Sequence, residues 1–334
     1  MSNPILVEVT RGTLVESWHR GAVVVTDATG EVVIGHGDVD AAVFPRSAIK
    51  VLQAIPLVES GAADAYGFGN RELALACASH SGEAGHVALV ADMLGRAGLD
   101  ASDLECGCHW PFGLSQALDI ARDGQSPTPL HNNCSGKHAG FLCTAVHRHE
   151  ATTGYVDATH PVQRRAQAVI EDLVGVQLGP DVCGTDGCSI PTFAAPLKGF
   201  ATAFAKLVSG RNVDPARAVA GQRLITACIA EPWYMAGTDR ACVNLIEAGG
   251  GRVFAKTGAE GVFCGAVPEY GLGFAVKIDD GATRASEAAV AALLVEIFRP
   301  HDAGLAEAYA ELSRMTLRNW EKTVVGEVRA VGLN

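Results

Sequence analysis

Aromatic residues are scarce in this chain, at 6% of 334 positions, and charged residues reach only 19% against 48% hydrophobic. A chain this long and apolar can bury a large core, which excludes global disorder and suits one large domain or two intimately packed ones. Positive charge is also in deficit. With 26 Lys and Arg against 37 Asp and Glu, the formal charge is -11, which argues against a nucleic-acid partner or docking on anionic lipid. No apolar run reaches the roughly 20 residues that span a bilayer. The first residues, MSNPILVEVTRG, lack the basic, long apolar and small-residue segments of a secretory signal. A cytoplasmic location and a small soluble substrate are therefore expected, with no membrane partner. No C-x-x-C pair, H-x-x-x-H pair, linker or repeat is present either, so neither a common zinc module nor a domain boundary is marked.

What is present reads as strands at both ends and helices between them. The segments ILVEVTRG, AVVVTD and EVVIGHG alternate apolar and polar positions around the turn signal DATG at 27–30, as in an antiparallel meander. From Pro45 to Ser60 the sequence changes to a helix with Pro in its first turn and Gly61 beyond its end. Lys50 and Gln53 are its only strongly polar residues between Ser47 and Glu59, so burial nearly all round is expected, with a kink at Pro56. Helix-period patterns fill 70–99 and 160–230; strand patterns return in RVFAKTG, GVFCGAV and GLGFAVKI, and ASEAAVAALLVEIF and LAEAYAELSRM close the chain as helices. The expected architecture is α+β, a single catalytic domain. Its sheet region is placed at about 1–45 and 250–334, with the Ser47 helix against the sheet, and its helical lobe at about 46–249.

Ser47 and Lys50 are spaced i, i+3, on one helix face. A serine hydroxyl is a poor nucleophile until a base takes its proton, and a desolvated lysine can serve because burial disfavours its charged form. A capping serine with a snorkelling lysine is the plainer alternative. Downstream lie Ser79-His80-Ser81-Gly82-Glu83 and Lys256-Thr257-Gly258. The order S-x-x-K, a polar serine segment, then K-T-G is that of the active sites of serine β-lactamases and penicillin-binding proteins. Lys256, Thr257 and Gly258 would offer positive charge and close backbone approach to a carboxylate-bearing substrate. The middle element departs from S-D-N and lies closer to Ser47 than in those enzymes.

Ten cysteines in a long chain without a signal read as buried thiols, metal ligands or catalytic groups. Cys77, Cys143, Cys228 and Cys264 sit among apolar or small neighbours and read as packing. Cys134, near Lys137 and His138, and Cys188, near Asp186, form a candidate soft-metal cluster, with reduced structural thiols as the alternative. Cys106, Cys108 and His109 form a second, weaker one.

The blocks PRSAIK, CASHSGE, HNNCSGKHAGFL, GTDGCSIPTFA and AKTGAEG resemble the rhizobial-type L-asparaginase family, also called asparaginase II or thermolabile, over nearly the whole chain. The resemblance implies a fold like that of penicillin-binding proteins and serine β-lactamases, a homodimer, and hydrolysis of L-asparagine to L-aspartate and ammonia. It further implies two serine and lysine pairs, Ser47 with Lys50 and Ser79 with Lys256, with Arg46 and Asn132 lining the pocket. Cys134, Lys137 and Cys188 match zinc ligands, with Asp186, His138 and Cys242 nearby. A β-lactamase or peptidase-like acyl hydrolase and a non-catalytic zinc-binding module are the competing readings.

Overall fold

The chain is described here from a computed structural model over residues 2–333. It divides into two compact units, one of Met1–Ala48, Ala195–Ser209 and Asn244–Asn334, the other of Ile49–Ala194 and Gly210–Val243.

The first unit is built on an eight-stranded antiparallel sheet. Its order is Arg314–Arg318, Val324–Ala330, Ile5–Arg11, Leu14–Thr26, Leu272–Ile278, Val262–Val267 and Phe254–Thr257, with Val32–His36 also paired to Leu14–Thr26. The expected meander and the return of strands after position 250 thus meet in one sheet, joined where Val24 pairs with Ala275. Two of its strands escaped the sequence reading. Arg314–Arg318 and Val324–Ala330 follow the Ala303–Leu312 helix as an antiparallel pair, and most of their residues are partly or fully exposed, so the apolar alternation that marks a half-buried strand is weak there. Val23, Val24, Val25, Phe274 and Val276 are fully buried at the sheet's centre, covered by the helices Leu197–Ser209 and Thr283–Phe298. A Cβ on Gly273 would run into the Ala201 carbonyl oxygen and the Ala205 nitrogen, so glycine lets the first of these helices lie directly on the strand backbone. That helix falls in the sheet unit, although its position in the chain suggested the helical region.

The second unit is helical. Its central helix, Lys50–Glu59, is buried from Lys50 to Leu57, with Pro56 inside it. The expected burial of this helix on all sides is observed. Its packing partners are the helices Ser135–His147, Pro161–Val174 and Pro215–Ala230, because a helix apolar on every face is covered best by other helices wrapping it. The preceding turn, Arg46–Ile49, is 3-10 rather than α, so the predicted helix from Pro45 begins tighter than expected. A hairpin of Cys183–Thr185 and Pro191–Phe193 interrupts the helices and carries Cys188 in its loop.

Candidate active site

In the sheet unit, the K-T-G segment ends the strand Phe254–Thr257, where Lys256 pairs with Cys264. Strand alternation turns Lys256 inward, leaving it 1% exposed, with its Nζ donating to the Thr257 carbonyl at 2.8 Å. Gly258 follows at the point where the segment meets Pro45–Ala48. A Cβ there would lie 2.6 Å from the Pro45 carbonyl oxygen and 3.1 Å from the Ala48 nitrogen. The glycine is therefore what allows the K-T-G edge to touch the backbone on either side of Ser47. Arg46, just before Ser47, holds a left-handed φ of 50°. A non-glycine residue there stores roughly 1–3 kcal/mol of strain, retained where the Ala48 N–H closes a turn on the Pro45 carbonyl. Ser47 itself is half-buried.

The unit boundary passes between Ala48 and Ile49, inside the continuous helical run that carries both Ser47 and Lys50. In the helical unit Lys50 is 0% exposed. Its Nζ reaches the Ala78 carbonyl oxygen, Ser79 Oγ at 3.0 Å and Cys134 Sγ at 3.1 Å. These three acceptors suit the three N–H groups of an ammonium, and loss of one proton would let the Ser79 hydroxyl donate to nitrogen instead. Ser79 is fixed by its backbone, since its N–H bonds the Met235 carbonyl and the next N–H bonds that of Asn133.

Cys134 precedes the Ser135–His147 helix, whose first turn carries Lys137, and Lys137 Nζ lies 3.1 Å from Cys188 Sγ. Cys188 donates its S–H to Cys134, and with Lys50 and Lys137 beside it this holds the Cys134 thiol well below its ordinary pKa despite burial. The Cys188 thiol is pushed up in turn, first by that hydrogen bond and then by burial. For Lys137, 2% exposed, burial acts to lower the pKa, but the sulfurs of Cys188 and Cys134 and the Asp186 carboxylate outweigh it and raise the value. The cluster thus sets the Cys134 sulfur between two lysines that favour its thiolate form. Among the described residues no group of three or more His, Cys, Asp and Glu side chains is arranged to hold a metal ion; the donors brought together are two sulfurs and an amine.

The remaining expected residues divide. Asp186 stands at the hairpin loop and faces Lys137 electrostatically, and its Oδ1 accepts from the Gly187 N–H. Asn132 is buried with its amide committed to the chain: Nδ2 donates to the Cys106 and Gly107 carbonyls and Oδ1 accepts from the Cys134 N–H. It shapes the loop before Cys134. His138 is fully buried, with Nδ1 on the Tyr155 hydroxyl at 2.7 Å and Nε2 without a hydrogen-bond partner; burial and the nearby Lys137 and Lys50 hold its pKa well down. Cys242 is buried in the Ala241–Ala248 helix. Cys106 is a buried thiol pushed up to about 12 by desolvation, and Cys108 is exposed. Sequence reasoning missed the Ala78 carbonyl, Tyr155 and Ser135, which carry no chemical signature in sequence.

Comparison with known proteins completes the picture. A crystal structure of Mglu aligns with a TM-score of 0.43 and 16% identity over 84% of this chain and 67% of that one. Mglu in its glutamate form aligns with a TM-score of 0.46 and 15% identity over 84% of this chain and 61% of that one. The chain thus spans three fifths to two thirds of the length of these relatives. No curated protein matches the sequence. The family profile of L-asparaginase II matches residues 7–330, a span that takes in the S-x-x-K helix, the Ser79 segment, both cysteine loops and the K-T-G strand. The chain belongs to the L-asparaginase II family.

Proposed function

We propose that this protein is an amidohydrolase that converts L-asparagine to L-aspartate and ammonia through a serine acyl-enzyme. The observation that carries the reading is the buried Lys50 Nζ within hydrogen-bond distance of Ser79 Oγ and Cys134 Sγ, one helical turn after Ser47, in a chain of this family. Ser47 Oγ attacks the side-chain amide carbon while Lys50, as the neutral amine, takes the hydroxyl proton and becomes the ammonium. The tetrahedral intermediate collapses, a proton is delivered to the leaving nitrogen, and ammonia departs. Water then adds to the aspartyl ester, returning its proton through Lys50 as Ser47 leaves. Ser79, bonded to Lys50, relays protons, and Lys256 with Thr257 and Gly258 orients the substrate carboxylate beside Ser47. The Lys50–Ser79 bond also favours a second reading, in which Ser79 is the nucleophile and Lys50 its base.

The architecture of sheet and helical unit corresponds, in this proposal, to that of serine β-lactamases and penicillin-binding proteins. The protein acts in the cytoplasm as a homodimer, which light scattering would test. Zinc suits the sulfur donors Cys134 and Cys188, since thiolate is a soft ligand, and the unpaired His138 Nε2 marks a buried polar group nearby; Lys137 would join them on giving up the proton that its present neighbours favour. Bound there, zinc would supply positive charge that holds the fold and substrate orientation around Lys50, whose own contacts with Ser79 do the proton work. Ammonia release from asparagine, glutamine and a chromogenic β-lactam tests the substrate class. Turnover of asparagine is expected; turnover of the β-lactam alone would replace the proposal.

A further inference from the structure

Lys50 sits between two segments far apart in sequence, Ala78–Ser79 and Cys134, and the residue that follows each forms a second bridge between them. His80 Nε2 lies 2.9 Å from Ser135 Oγ. The Ser135 hydroxyl spends its one proton on the Leu130 carbonyl, also at 2.9 Å, so it accepts from His80, which fixes the proton on Nε2. The other nitrogen agrees: Nδ1 accepts the Gly82 N–H at 3.1 Å. Every hydrogen-bonding position of the neutral ring is filled. The ring is 0% exposed and stacks on His86, with centroids 5.0 Å apart, which in turn stacks on Trp233 at 4.1 Å. Gly85 leaves room for that indole, since a Cβ there would lie 2.8 Å from it. The titratable groups facing His80 are Lys50, His86, His109 and His131, and burial with these neighbours keeps its pKa well down.

We infer that His80 is a positioning residue, a neutral brace that sets the separation of Ser79 Oγ and Cys134 Sγ across the Lys50 amine by tying Ser79's segment to the start of the Ser135 helix. The brace acts through Ser79 and Cys134, the groups that Lys50 Nζ itself bonds. Its loss would let the two acceptors drift apart, and a displacement of about 1 Å at a reacting group costs on the order of 100-fold in rate. This rests on the proposed role of Lys50, so Ser47→Ala and Lys50→Met are the controls.

The test begins with the full chain labelled with ¹⁵N-histidine. Between pH 6 and 8.5 His80, assigned from the signal absent in His80→Gln, is expected as the Nε2–H tautomer throughout; an Nδ1–H tautomer overturns the inference. His80→Ala should lower kcat about 100-fold with KM within about 3-fold. His80→Gln, which keeps an N–H toward Ser135, should recover part of the loss, and Ser135→Ala should lose about 10-fold. Should His80→Ala fail to fold, Ser135→Ala and the tautomer decide. If the controls are inactive while folded His80→Gln and Ser135→Ala keep full kcat, the brace is refuted and the Lys50 reading stands. If the controls themselves remain active, it is the Lys50 reading that falls.

Discussion

Lys137 and Lys256 are both buried lysines, yet they are held in opposite ways. Lys256 lies at the end of one strand and donates to the carbonyl of the very next residue. Lys137 lies between the start of its own helix and a hairpin loop about fifty residues on, with the sulfurs of Cys188 and Cys134 and the Asp186 carboxylate raising its pKa against burial. Lys50 belongs with Lys137: its partners at Ala78, Ser79 and Cys134 come from two further segments. The comparison sets a lysine placed by strand alternation beside lysines surrounded by groups that packing brings together. Changes in the assembled cluster should be large and non-additive, and changes at the strand edge smaller and independent.

The largest effect is expected at Ser47 and Lys50. Ser47→Ala and Lys50→Met should each lower ammonia release from asparagine by at least about 10³-fold while the protein stays folded, and the double variant should be little worse than either. Additive losses would show that the two do not act as one unit. Near-normal turnover in Ser47→Ala with an inactive Ser79→Ala would favour the second reading, with Lys50 serving Ser79.

Next in size is the thiol cluster. Protein purified with metal should carry about one zinc per chain, and Cys134→Ser or Cys188→Ser should abolish it, as read by elemental analysis. Activity should weaken without vanishing. Complete loss of turnover that returns only on adding zinc, with the fold unchanged by circular dichroism, would assign the metal a direct part in the chemistry.

At the strand edge the expected costs are lower. Thr257→Ala should reduce kcat/KM by only about 3- to 10-fold, roughly 1 kcal/mol, and combined with Cys188→Ser the two losses should multiply. Strong coupling between them would mean that the local and the assembled chemistry are not separate.

A separate expectation concerns stability and pH, and leaves catalysis aside. His80 and His86 have pKa values held below the ordinary 6.5, chiefly by burial. Unfolding exposes them to protonation, so the unfolded chain binds more protons at low pH. Stability is therefore complete above about pH 6.5 and falls as the pH drops below it, by up to about 1.4 kcal/mol per pH unit for each histidine. Urea denaturation at pH 7.5 and pH 5.5 should show this decline, and His80→Gln, which removes a titrating ring, should lessen it. A midpoint unchanged between the two pH values would contradict buried neutral rings.

The sequence alone determined the parts of this protein that depend on near neighbours in the chain. Alternation in ILVEVTRG and AVVVTD marked the first strands, the apolar run after Lys50 marked a helix buried on every face, and the motif blocks marked the family. Strand and helix periods follow from the backbone of each segment and need no knowledge of its neighbours. Tertiary structure decided what covers that helix, the last two strands of the sheet, and the company each lysine keeps. It also set Asn132 to hold its own loop and placed Tyr155 and Ser135 against His138 and His80. A buried polar group must find partners wherever the packed chain presents them, and a serine such as Ser135 becomes specific only when folding brings a histidine from 55 residues away to its hydroxyl.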